Sequence, residues 1–324
     1  MATRGHAKGR DFSIARFITI ALLIAGAGWW IGSQGWIGGG KAPLPPTDAS
    51  SGNRAHHKTS IGSPTSSTTS TSTTTTTPPI SSPFGGAIEG YVGSRSGTVT
   101  AALYNVSTGQ TFELNPDARQ DEASIVKVDI MGTLLSQMGN TTTPIPTDQQ
   151  QLLTSMIEDS DNDSATTLWD QVGGPGAISA FNARIGMPDT TPSPCVTCSN
   201  FPWPGWGLTT TSAADQVTLL RQFVFPSSLL TPAQQSYGLS LMESIIPSED
   251  WGVSGGVPSG VTIALKNGWL PLSGESDWQV NSIGWISGDG RNYIVAILDT
   301  GNPTEQYGID TINQMSGQIW GELG

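Results

Sequence analysis

The sequence predicts an α/β (α+β) domain over residues 87–324: an antiparallel sheet flanked by helices, with an inserted helical lobe. Three observations carry this reading. Two strand-like runs, TVTAALYNV and QTFELN, are separated by a short turn near Ser107 to Gly109 and form a hairpin pattern. Helical signals then dominate from Ser124 to about Phe225, with breaks at Thr141 to Pro146, Gly173 to Gly176 and Pro188 to Gly207. Strand patterns return at VTIALKN, DWQVNSIGWI and NYIVAILDT, and DTINQMSGQIWGEL closes the chain with helical spacing. This order brings the first and last strands into one sheet, with the helical block between them.

Upstream of that domain the chain changes character. In residues 1–16, Arg4, Lys8, Arg10 and Arg16 outweigh Asp11, and residues 17–39 then run without a charge through FITIALLIAGAGWWIGSQGWIGG. Basic residues before such a run stay on the cytoplasmic side, so 1–16 is expected to be cytoplasmic and 17–39 a transmembrane signal-anchor. Trp29, Trp30 and Trp36 then lie toward the far interface. The alternative is a cleaved signal peptide ending near Ala25-Gly26-Ala27, which gives a secreted rather than a membrane-held protein. Residues 40–86, rich in Ser, Thr and Pro, are expected to be a linker that holds the domain away from the membrane.

Charge separates the same regions. Residues 1–86 carry seven Lys plus Arg against two Asp plus Glu, a balance of +5, whereas residues 87–324 carry seven against twenty-four, a balance of −17. Such an acidic domain repels phosphate backbones, which argues against nucleic acid as a partner. The two cysteines, Cys195 and Cys198, are too few for a four-sulfur zinc site, and they sit among prolines and glycines rather than in a βαβ pattern. A small disulfide staple in an oxidising compartment fits that setting.

All three histidines, His6, His56 and His57, precede the domain. A Ser-His-Asp triad or a Cys-His pair is therefore impossible in residues 87–324, and histidine-bearing metal sites are excluded with them. The base for any nucleophilic chemistry must be something else, and only Lys127 and Lys266 are available as lysines there. In Ser124-Ile125-Val126-Lys127 the three-residue spacing places hydroxyl and amine on one helical face. Apolar neighbours penalise the charged amine and so make it a competent base. Asp121 and Glu122 just upstream suit a helix N-terminus. Alone, a serine followed by a lysine at this spacing is a chance pattern. Its company gives it weight: Ser160-Asp161-Asn162 in MIEDSDNDSATTLW, and Lys266-Asn267-Gly268-Trp269 at the end of an apolar strand.

SIVK, SDN and KNG, in that order, resemble the S-x-x-K, S-D-N and K-T-G elements of the serine β-lactamase and penicillin-binding protein superfamily. The chain is most similar to class A β-lactamase-like serine hydrolases of actinobacterial type, over essentially residues 87–324. The resemblance implies a β-lactamase/DD-peptidase-like fold without metal or organic cofactor. It implies that Ser124 is acylated, that Lys127 takes its proton, and that Ser160 relays a proton to the leaving nitrogen. Asn162 would bond the substrate amide and Lys127, while Lys266, Asn267 and Gly268 would receive the substrate carboxylate. The backbone N–H groups of Ser124 and Trp269 would form the oxyanion hole. Partners implied are a β-lactam or a D-Ala-D-Ala-type peptide and cell-wall peptidoglycan, met by a monomer. D-alanyl-D-alanine carboxypeptidase or amidohydrolase activity, and a non-catalytic penicillin-binding sensor, stand as alternatives.

The sequence also departs from that pattern. Class A enzymes hydrolyse the acyl-enzyme with a loop glutamate about 36 residues beyond the S-D-N serine. Here that position falls in PSPCVTCSN, and no glutamate occurs between Glu158 and Glu243; the nearest acid is Asp189. Asn267 stands where threonine or serine is usual. Only 36 residues separate Ser124 from Ser160, which predicts a trimmed helical lobe. Asp161 is expected to be structural, and Trp203 and Trp206 either pack their loop or wall the substrate.

Overall fold

The computed structural model describes residues 80–139, 144–273 and 276–324. The predicted segments 1–16 and 17–39 and nearly all of the 40–86 linker lie outside the described residues. Among the described residues no helix is long and apolar enough to cross a membrane. The folded unit already includes Ile80, upstream of the expected boundary at residue 87. The Gln110 amide bonds both the N–H and the carbonyl of Ile80, at 2.8 and 3.1 Å, and Phe84 is buried beside it in sequence. A short helix that the sequence reading missed follows, α1 (Gly86–Val92), whose Ile88 is fully buried.

The hairpin is β1 (Thr98–Asn105) with β2 (Thr111–Leu114), and β3 (Gln120–Asp121) leads into a 3-10 turn at Ala123–Ile125. The helical block then comprises α2 (Val126–Gln137), α3 (Thr147–Glu158), α4 (Asn162–Val172) and α5 (Gly174–Ile185). A long loop carries the disulfide and ends at β4 (Thr210–Thr211), which pairs with β3. Beyond it come α6 (Ala213–Val224) and α7 (Pro232–Glu243). The reading stopped its helices near Phe225, so α7 is an addition. Finally β5 (Thr262–Pro271), β6 (Trp278–Gly288), β7 (Arg291–Asn302) and α8 (Glu305–Glu322) complete the chain.

The five long strands form one antiparallel sheet in the order β2-β1-β7-β6-β5, so the first and last strands do meet, with β1 paired to β7 along its whole length. Period-2 alternation explains why the strand sequences read as nearly continuous apolar runs. On β7, Tyr293, Val295 and Ile297 face the layer containing α1 and α8, while Ile294, Ala296 and Leu298 face the layer built from the helical block. Both faces are therefore covered. β5 is one of the two edge strands, so alternate backbone groups along it point away from the sheet, and Gly268 brings it against the turn that bears Ser124.

Candidate active site

The site assembles where three segments converge: the turn before α2, the junction between α3 and α4, and the edge strand β5. Ser124 lies in the 3-10 turn and Lys127 one turn later in α2, and the Lys127 amine stands 2.8 Å from the Ser124 hydroxyl. The polar side chains behind this turn fix its approach. Asn281 on β6 donates to the carbonyls of Asp121 and Glu122, at 2.9 and 2.8 Å, and Gln279 donates to the Asn281 side chain. Glu122 does stand at the N-terminus of the 3-10 turn, as the sequence suggests, but its side chain bonds none of that turn's N–H groups. It is fully buried and takes a 3.1 Å bond from Gln216 on α6. Burial, with repulsion from Asp129 and Asp215, holds its carboxyl well above the usual range.

Gly268 allows β5 to approach. A Cβ built there would sit 2.6 Å from the Ser124 nitrogen, 2.7 Å from the Ile125 nitrogen and 2.8 Å from the Glu122 carbonyl oxygen. Any side chain would push the strand off the turn. Gly268 thus makes strand and helix start share one surface.

The α3–α4 junction supplies Ser160 and Asn162. Asp161 caps α4, its carboxylate accepting the Ser164 N–H at 2.7 Å, as its structural reading expected. Ser160 is held at φ 56°, and Ala123, just before Ser124, at φ 50°. Left-handed geometry costs a non-glycine residue roughly 1–2 kcal/mol, so the surrounding fold holds both residues of the cleft against their preference.

Lys127 has four oxygens in reach: the Ser124 hydroxyl, the Ser160 carbonyl at 2.6 Å, the Ser160 hydroxyl at 3.1 Å and the Asn162 side-chain oxygen at 2.9 Å. Two of these, the Ser160 carbonyl and the Asn162 oxygen, can only accept. They match the two N–H groups of a neutral amine, which leaves its lone pair for the Ser124 hydroxyl proton. Burial, and then the charge of Lys266, push the Lys127 amine well below its ordinary value. Lys266 is itself buried, donates to the Ser160 hydroxyl at 2.9 Å and is pushed down to about 8 by burial. The Ser160 hydroxyl therefore bridges the two amines.

The other predicted residues fall differently. Asn267 is fully buried, and its amide donates to the backbone carbonyls of Glu249 and Trp251, at 2.6 and 3.1 Å, so its N–H groups serve the loop before β5. Cys195 and Cys198 are disulfide-bonded. Gly205 lies against that bridge, in space a Cβ would share with Cys198 Sγ. Trp206 packs its loop: it is buried, donates to Thr166 at 3.1 Å and lays its ring 5.1 Å from the Lys127 amine. Trp203 is the exposed one, at 47%, and walls the cleft. Asp189, the nearest acid to the missing glutamate, is bound to Arg119 at 2.7 Å. A recess of about 30 Å³ beside Ser124 is lined by Asn162, Trp206, Gly207 and Leu270 among others, and by no carboxylate. That is room for a water without a base to activate it.

A larger cavity of about 300 Å³ is lined by Ser124 together with Ser160, and shares Asn162, Trp203 and Trp269 with the recess. Its wall includes Asp159, Glu249, Glu305 and Trp278, none of which the sequence reading singled out. No local pattern marks them; the fold alone gathers them.

This sheet, with a serine and a lysine one helical turn apart beneath its edge strand, defines a class A β-lactamase-like serine hydrolase architecture. The chain belongs to the β-lactamase enzyme family, whose pattern (Beta-lactamase2) matches residues 138–323. The matched region includes Ser160 and Lys266 and begins after Lys127. Among solved structures, the TLA-1 extended-spectrum β-lactamase superposes with a TM-score of 0.63 at 16% identity, over 73% of this chain and 96% of that one. The class A β-lactamase from Mycobacterium abscessus gives 0.61 at 20% identity, over 72% and 96%. The curated protein "Putative lipoprotein LppW" of Mycobacterium tuberculosis is 26% identical over 209 residues. The alignment spans 62% of this chain and 62% of that relative.

Proposed function

We propose that the protein is an extracytoplasmic serine hydrolase that forms an acyl-enzyme on Ser124 and releases it slowly. The observation that carries this reading is the buried Lys127 amine, depressed in basicity and 2.8 Å from the Ser124 hydroxyl. Lys127 takes the Ser124 proton as Oγ attacks the acyl carbon. The backbone N–H groups of Ser124 and Trp269 hold the developing oxyanion, an assignment supported by the close passage of β5 over the turn. Ser160 accepts from Lys266 at 2.9 Å and lies 3.1 Å from the Lys127 amine, so Lys127, once it holds the Ser124 proton, can donate to the Ser160 hydroxyl as that hydroxyl passes its own proton to the leaving group. The substrate is a β-lactam or a related cell-wall peptide. Slow release rests on the loop that brings Trp206, instead of a carboxylate, beside Lys127. It favours a penicillin-binding peptidase or sensor role over rapid β-lactam turnover.

Placement outside the cytoplasm is supported by the disulfide and by the charge-free run at 17–39, read as a membrane anchor with 40–86 as a spacer. LppW bears the name of a lipoprotein, whereas this chain has only the two bonded cysteines, so its own attachment is assigned to the apolar run.

The test is labelling of the full chain with a neutral fluorophosphonate and with fluorescent penicillin, read by intact mass. Adduct on wild type and none on Ser124→Ala is expected. Equal labelling of both proteins, or none of either by any probe, would overturn the assignment.

A further inference from the structure

Behind the turn that bears Ser124 runs a line of three buried amide side chains, Gln120, Gln279 and Asn281. It starts at β1, where the Thr98 carbonyl accepts the Gln120 side-chain N–H at 2.7 Å. The Gln120 oxygen accepts from Gln279 at 2.9 Å, and Gln279 donates again to the Asn281 oxygen at 2.6 Å. Asn281 then gives its N–H groups to two consecutive carbonyls of the chain, Asp121 at 2.9 Å and Glu122 at 2.8 Å. Backbone carbonyls stand at both ends and can only accept, so the orientation of every amide in the line is fixed. Asn281 therefore always meets the turn with its donors.

The line works against stability, which points to a use at the site it serves. Both donations of Gln279 are made at the expense of its own oxygen, which is buried and accepts nothing. Ala123, next after the two clamped residues, is held in the left-handed region at φ 50°. The Glu122 N–H is fastened as well, to the Thr209 carbonyl at 2.7 Å. Asn281 comes within reach because its cross-strand partner on β5 is Gly268. A Cβ at Gly268 would stand 2.8 Å from the same Glu122 carbonyl that Asn281 bonds, and 2.6 Å from the Ser124 nitrogen.

We infer that Asn281, oriented through Gln279 and Gln120, is a positioning residue for acylation: by holding the Asp121 and Glu122 carbonyls it keeps Ala123 left-handed and so aims the Ser124 hydroxyl and N–H together. The inference rests on the serine-hydrolase reading. As Ser124 Oγ bonds the acyl carbon, its proton passes to Lys127 and the carbonyl π pair moves onto oxygen, which the Ser124 N–H receives. Return of that pair expels the leaving nitrogen, which takes the Ser160 proton while Lys127 restores it. Asn281 lines neither the recess nor the larger cavity, so its loss is felt in the transition state and not in substrate binding.

The test compares full-length wild type, Asn281→Leu and Gln279→Met. Leucine keeps the size of asparagine and removes both donors; methionine removes the relay, with its bare oxygen, and leaves Asn281 in place. Labelling by fluorescent penicillin is followed over a range of concentrations, and intact mass counts the reactive fraction, giving each protein a limiting acylation rate and an apparent Kd. Asn281→Leu is expected to lower the limiting rate by at least about tenfold with the apparent Kd held within about twofold, because misaimed reacting groups cost rate rather than binding. Gln279→Met, which gives up an unsatisfied buried oxygen and so folds even where Asn281→Leu does not, is expected to show a smaller fall of the same kind. A merely structural part for these amides would lower the thermal midpoint and shrink the reactive fraction while the remaining molecules kept the wild-type limiting rate. That outcome would overturn the inference, as would a loss carried by the apparent Kd. Absence of any Ser124-dependent label on wild type would instead overturn the hydrolase reading, and the acylation role of Asn281 with it.

Discussion

The two flanks of Ser124 are built to different standards. On the α2 and α4 side, Ser124, Lys127, Ser160, Asn162 and Lys266 form one connected set of hydrogen bonds between 2.6 and 3.1 Å. On the loop side, where class A enzymes keep a water-activating glutamate, there is a disulfide, a buried indole and a recess without an acid. On the proposed function, the first flank would serve acylation, while the second offers no carboxylate for deacylation. On that proposal, an enzyme built this way is expected to stall after its first step.

The largest expected effects break the constructed flank. Ser124→Ala should abolish covalent labelling, and Lys127→Ala should slow it by about 10²–10⁴, the usual worth of a positioned general base, as measured by single-turnover labelling. Gly268→Ala should be almost as damaging. Its Cβ would collide with the backbone on both sides of Ser124, so both labelling rate and thermal midpoint should fall.

A smaller effect concerns pH. Buried Asp129, on the same helix as Lys127, takes one bond from Asn182 and is pushed up to about 7 by burial, with Asp215 adding to the shift. Glu122 is raised too. In the unfolded chain these groups titrate near 4, so between about pH 4 and 7 the folded state binds more protons. Stability should accordingly fall as pH rises through that window. Lys266 works the other way: lowered to about 8, it binds fewer protons folded than unfolded, and stability should recover between about pH 8 and 10. Thermal unfolding from pH 5 to 10 should show a minimum near neutrality; a maximum there would contradict these assignments.

The smallest effect sharpens the loop side. Cys195→Ser with Cys198→Ser opens a very short ring, and the chain-entropy relation gives a loss of about 2 kcal/mol. Denaturant unfolding should register that loss while fluorophosphonate labelling of Ser124 persists.

What was legible in the sequence follows the same division. Ser124 with Lys127, Ser160 with Asn162, and Lys266 with Gly268 were visible because their spacings are local and only two lysines were available. The strand hairpin and the three later strands were visible through apolar runs that the two-sided sheet explains. By contrast α7 went unread although Thr231, Pro232 and Gln234 spell a capping box, with Pro at the first position. Its apolar residues do not repeat at helical spacing strongly enough to announce the rest. Trp203 and Trp206 are three residues apart in one proline-glycine loop, and nothing local says which is buried. Asp159, Glu249 and Glu305 come from three distant segments, so their shared cavity exists only in the folded chain.

The most direct test of the central claim is a chase. Full-length protein is exposed to saturating penicillin, freed of excess reagent, and followed by intact mass alongside Ser124→Ala. The account predicts a single adduct on wild type that persists for hours and never appears on the variant. Unmodified wild type accompanied by many turnovers of penicillin per second would show that the loop side does supply a deacylating base, and would contradict it.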